Sequence, residues 1–150
     1  MIKDRLDQDI KTALLSGDKQ RVLVLRGLKS SILYEEVAQK VREAGLSDDA
    51  IIALFQREAK KRQESADLYT QGNSPERVKA ELEEKAIIQE YLPAQLDEAA
   101  IAQAIEEVIT EVGSATPADM GKIIGGVKAK TAGAADGSVI ARLVKERIAQ

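Results

Sequence analysis

The residues with the most chemical promise lie in the last third of the chain. It runs Thr116-Pro117-Ala118-Asp119-Met120-Gly121-Lys122, then Gly125-Gly126-Val127-Lys128-Ala129-Lys130, then Gly133-Ala134-Ala135-Asp136-Gly137-Ser138. Glycines inside a helical stretch each disfavour the helix by roughly 1 kcal/mol relative to alanine, so three within six residues need a reason. One reason is close packing, because a residue without a side chain lets another backbone approach. The other is a ligand that itself comes close. A phosphate strand is such a ligand, since bare N–H groups and lysine ammoniums both reach its oxygens. Gly121, Lys122, Gly126, Lys128 and Lys130 are the candidate contacts, joined by Asp136 and Gly137 at the next turn and by Arg142 on the helix after it. Positions 122, 126 and 130 follow one another at i+4, which predicts Lys122 and Lys130 on one face with Gly126 between them. The glycines do not form a P-loop, because no strand followed by Gly-Lys-Ser/Thr is present.

Other chemistry finds little support. The chain has no histidine and no cysteine. Ser30 and Ser31 lie near Lys29, and serine–lysine catalysis is known chemistry, but such pairs arise by chance on helices. Glu83-Glu84 and Glu106-Glu107 share their helices with cations and read as solvated faces. Arg57 and Lys60-Lys61-Arg62 fan around a helix instead of forming one patch. No residue is expected to be catalytic, to bind a cofactor or to hold a metal.

Charge points the same way as the glycines. Thr116 to Gln150 carries six cations against three carboxylates, or +3. The preceding residues carry sixteen cations against twenty-two carboxylates, or −6, within a net charge of −3. A basic tail on an acidic body suits a polyanionic partner. The tail has no aromatic residue, so base stacking is not expected there and any RNA contact would be to backbone and shape.

Helices must position these groups. Apolar residues recur at helical spacing at Val22, Leu25, Leu28 and Ile32, at Ile101, Ile105, Val108 and Val112, and at Ile140, Leu143, Val144 and Ile148. No sustained period of two appears. Glycines with following caps (Gly17-Asp18, Gly45 to Ser47, Gly72 to Pro75, Gly113 to Pro117, Gly133 to Asp136) punctuate the pattern. Thr116 and Asp119 have capping-box spacing. The prediction is an all-α chain with helices over 2–16, 18–44, 47–72, 75–91, 97–113, 117–131 and 137–149. Pro93 divides an N-terminal four-helix domain of long antiparallel helices, 1–92, from a small three-helix C-terminal domain, 97–150, whose first helix is expected to be capped by Asp97. No apolar run reaches the roughly 20 residues of a membrane span, and the charged N-terminus is unlike a signal peptide. A cytoplasmic protein with no membrane partner is expected.

Five stretches together resemble the YqeY-like family, also called GatB/YqeY domain proteins. They are Leu25-Arg26-Gly27-Leu28-Lys29-Ser30, Lys60-Lys61-Arg62-Gln63-Glu64-Ser65, Glu90-Tyr91-Leu92-Pro93-Ala94-Gln95-Leu96, Asp119-Met120-Gly121-Lys122 and Gly133-Ala134-Ala135-Asp136-Gly137. The resemblance implies a C-terminal part like the GatB tail domain of the tRNA-dependent amidotransferase. That enzyme is a carbon–nitrogen ligase with glutamine as amide donor, and its tail grips the tRNA body while the chemistry resides elsewhere. Where relatives often carry arginine after the glycine matching Gly133, this chain has Ala134. The expectation is therefore a non-catalytic module that binds or accompanies tRNA. The alternative is an adaptor that docks a tRNA synthetase or amidotransferase.

Overall fold

The computed structural model describes all 150 residues and contains seven α-helices and no strand. The chain forms two compact units, Met1–Leu92 and Pro93–Gln150.

The first unit holds α1 (Ile2–Ser16), α2 (Lys19–Ala38), α3 (Asp48–Gln71) and α4 (Pro75–Gln89). α1 packs on α2, α3 packs on α4, and α2 also meets α4. Leu6, Leu25, Leu28, Ile32, Ile51, Phe55 and Ile88 supply most of its core. The rings of Phe55 and Tyr91 meet edge to face, with centroids 5.8 Å apart. The Tyr91 hydroxyl donates to Asp9, and burial with that neighbouring carboxylate pushes its pKa well above the phenol range. Arg21 binds Glu90 at 2.7 Å, and the Arg5 guanidinium lies over the Tyr91 ring. The end of α4 is thus fixed from several sides.

Most caps follow the expectation. Ser47 accepts the Ala50 N–H and Asp97 accepts the Ala100 N–H. Gly17, Gly45 and Gly113 adopt left-handed backbone. Three expectations are corrected. α2 stops at Ala38, six residues before 44. There Val41 N–H bonds back to the Glu36 carbonyl at 2.9 Å, and Lys40 takes φ of 58°. The cause is tertiary: the carboxylate of Glu36, only 1% exposed, accepts both the Lys3 ammonium at 2.6 Å and the Leu46 N–H at 3.1 Å. The chain folds back over that group and drops Leu46 into the core. At the end of α3, Gly72 keeps φ of −80°, and Asn73 takes the left-handed role with φ of 53°. Ser74 makes no side-chain cap on α4, which starts on Pro75.

The second unit holds α5 (Glu98–Val112), a 3-10 turn (Pro117–Asp119), α6 (Met120–Thr131) and α7 (Gly137–Ile148). The 3-10 turn occupies the first three residues of the helix predicted over 117–131. Ile101, Ile105, Val108, Ile123, Val127, Ile140 and Val144 fill a separate core in which each helix touches the other two. Leu96 N–H donates to the Ala134 carbonyl at 2.8 Å, so the segment before α5 is tied to the α6–α7 turn.

Candidate nucleic-acid interface

α6 begins where sequence chemistry says it should. The Asp119 carboxylate accepts the Thr116 N–H at 3.0 Å, the Thr116 hydroxyl at 2.6 Å and the Ser114 hydroxyl at 2.7 Å. The Thr116 hydroxyl, then Ser114 and the Thr116 N–H, hold its pKa down at about 2. The cap is therefore a fixed negative charge at a helix start. At the other end Ala132 and Gly133 are both left-handed, with φ of 44° and 90°. They reverse the chain, and Asp136 then caps α7 by accepting the Ser138 N–H at 2.7 Å.

The glycines separate into two kinds. A Cβ on Gly126 would lie 2.7 Å from a methyl of Val108, which is itself buried. Gly126 is there so that α6 can approach α5. Gly121 and Gly125 would have nothing within 4 Å of an added Cβ. They lie one turn apart on the exposed side of α6, and no packing requires them. A Cβ on Gly137 would lie 3.4 Å from the Lys128 stem and 3.6 Å from its ammonium. Lys128 thus crosses the start of α7 beside Asp136.

The cations also separate. Lys130 binds Glu107 at 2.9 Å and Glu111 at 3.1 Å, and these two carboxylates raise its pKa. Arg142 is paired with Glu98 and, at 3.4 Å, with Glu146; the Glu98 hydrogen bond leads in raising its pKa. Arg147 binds Glu106 at 2.5 Å. Lys122, Lys128 and Lys145 form no salt bridge within 4 Å, although the Lys122 charge helps to lower the Asp119 pKa. The expected row of Lys122, Gly126 and Lys130 is corrected accordingly. Gly126 and Lys130 both turn to α5, one for packing and one for charge, so the row is not an open cationic face.

The structure instead brings Gly121, Lys122, Gly125 and Lys128 onto the outer side of α6. At about 100° per residue, the two glycines and Ala129 form the middle of that side, with Lys122 and Lys128 at its edges. Asp136 and Gly137 adjoin Lys128, whereas Arg142 stands apart with Glu98. Gly125 joins the candidate residues beside Gly121, and their i, i+4 spacing is the sequence signal that pairs them. Glu106 and Glu107, expected as a solvated face, instead anchor cations of the other two helices. In the first unit, Lys61 binds Glu58 at 3.2 Å and Arg62 lies 2.8 Å from Glu84, so two of the four cations of the basic run there are paired within the unit.

No cluster of three carboxylates is placed to hold a metal ion, and no helix is long and apolar enough to cross a membrane. No curated protein matches the chain. The family described as Yqey-like protein matches it from residue 3 to residue 148, nearly end to end. The chain belongs to the YqeY-like family.

Proposed function

We propose that the second unit is a non-catalytic module that seats the outer side of α6 against the sugar-phosphate backbone of tRNA. The observation that carries this reading is the pair Gly121 and Gly125, exposed, unpacked and flanked by Lys122 and Lys128, neither of which is held in a salt bridge as Lys130 is. Bare helix lets a phosphate strand come near, and the two ammoniums meet it from either edge. The resemblance to the amidotransferase tail supports tRNA as the RNA concerned. No aromatic residue follows Tyr91, so the contact would follow shape and charge and not base identity. With two or three phosphates engaged, log affinity should fall with log salt at a slope of about −2 to −3.

Fluorescence anisotropy with labelled tRNA tests this. Lys122→Glu with Lys128→Glu should abolish binding, while Lys130→Glu, at a site already occupied by α5 carboxylates, should have the smaller effect. Binding that survives the double change, or no binding at low salt, would remove this surface from consideration. A second reading rests on the spacing of Gly121, Gly125 and Ala129, which would also admit a closely packed helix of a tRNA synthetase or amidotransferase. That adaptor would bind its protein with little dependence on salt. In neither reading does the isolated chain hydrolyse glutamine or ATP.

A further inference from the structure

α2 is apolar on two opposite sides. Val22, Leu25, Leu28 and Ile32 are buried in the first unit's core. On the far side Tyr34 is 80%, Leu23 71% and Val37 60% exposed. Positions 23, 27, 30, 34 and 37 alternate at four and three residues, which aligns them along one seam. Gly27, within that seam and about two turns before Tyr34, has nothing within 4 Å of an added Cβ, so the helix surface is open there. An outward helix face is ordinarily polar, so a seam of this kind is a surface without its partner.

The charges on its edge say what that partner carries. Lys19 and Arg26 lie along the seam without a carboxylate, whereas the cations on the other sides of α2 are satisfied: Arg21 by Glu90 at 2.7 Å and Lys29 by Asp7 at 2.6 Å. We infer that the outward face of α2 docks an amphipathic helix of a partner protein. Its apolar stripe would lie on Leu23, Tyr34 and Val37, and its carboxylates would meet Lys19 and Arg26. Aliphatic side chains have no counterpart on an RNA backbone, which makes this face distinct in kind from that of α6. A second copy of α2 fits less well, because it brings the same cations and, with Glu36 buried, offers only the half-buried Glu35 as a carboxylate.

The test uses the full-length, isotope-labelled chain and two synthetic amphipathic peptides of about 18 residues, long enough to form a helix. One carries glutamates beside its leucine stripe, and its twin carries lysines. The glutamate peptide should shift the amide resonances of residues 19–37. Lys19→Glu with Arg26→Glu should weaken it about tenfold or more, and Tyr34→Ser by a similar factor. All three positions are exposed, and circular dichroism verifies that the variants keep their helices. Equal binding of both peptides, shifts that map elsewhere, or insensitivity to charge reversal would overturn the proposal. Concentration-dependent self-association abolished by Tyr34→Ser would overturn it in favour of a second copy. Loss of tRNA binding in the Lys122 and Lys128 variant bears on α6 alone and leaves this outcome independent.

Discussion

Adjacent glycines in α6 do opposite jobs, and substitution separates them. Gly125 is exposed, mid-helix and unhindered. Gly125→Ala should therefore stabilise the protein by about 0.5–1 kcal/mol, through helix propensity and reduced freedom of the unfolded chain. Gly126→Ala should destabilise it by about 1–3 kcal/mol, because a Cβ 2.7 Å from Val108 meets a stiff, buried side chain. Urea titrations of the two variants check both signs. Glu36 poses a different problem at the same scale. The hydrogen bond from Lys3, and behind it the Leu46 N–H, hold its pKa below the ordinary 4.5 despite burial. A carboxylate more acidic in the folded chain than in the unfolded one contributes fully above its unfolded pKa. That contribution fades as pH falls through 4.5 toward the folded value. Glu36→Gln should lower stability at pH 7 by about 1–2 kcal/mol, discounted for the half-exposed Lys3, and flatten the acid limb. Parallel unfolding curves at pH 7 and pH 3.5 would show it; an unchanged acid limb would mean that other carboxylates dominate.

At the scale of elements, α5 sets what α6 and α7 can offer. Its Glu98, Glu106, Glu107 and Glu111 hold Arg142, Arg147 and Lys130. These are surface pairs, worth little to stability, but they decide which cations remain for a partner. Glu107→Gln with Glu111→Gln should leave folding nearly unchanged and release Lys130. On the proposed reading, tRNA affinity then rises and the salt slope steepens by up to about one unit. Anisotropy titrations at several salt concentrations measure both; unchanged affinity would mean that Lys130 lies outside the footprint. The helices themselves were largely legible because their signals are local. Asp97, Ser47 and the Thr116–Asp119 pair each cap within three residues of themselves. The end of α2 was not legible, since Gln39-Lys40 contains no breaker. What stops that helix is a buried carboxylate reaching Leu46 ten residues on and Lys3 thirty-three residues back. Likewise, nothing near Gly126 in sequence distinguishes it from Gly125; only Val108, on another helix, does so.

For the molecule as a whole, the positive tail read from the sequence dissolves once its fold is drawn. Pro93 to Gln150 carries eight carboxylates against six cations, because α5 belongs to the same unit as α6 and α7. The local surplus from Thr116 onward is thus answered from within, and steering by net charge gives way to placement of the few cations left unpaired. Periodicity could reveal that helices form two groups but not which charges they turn towards each other. The two units also keep separate cores, one around Phe55 and one around Val108 and Val127. A lesion in one core should then stay local, since protection from exchange follows the cooperative unit that must open. Gly126→Ala gives the test. Hydrogen exchange should quicken for amides of α5, α6 and α7 and stay near wild-type rates in α1 to α4. The lost protection should match the stability lost on chemical unfolding of the second unit. If amides around Phe55 quicken by the same factor, the two cores open together, and the second unit would have to be treated as part of one cooperative body.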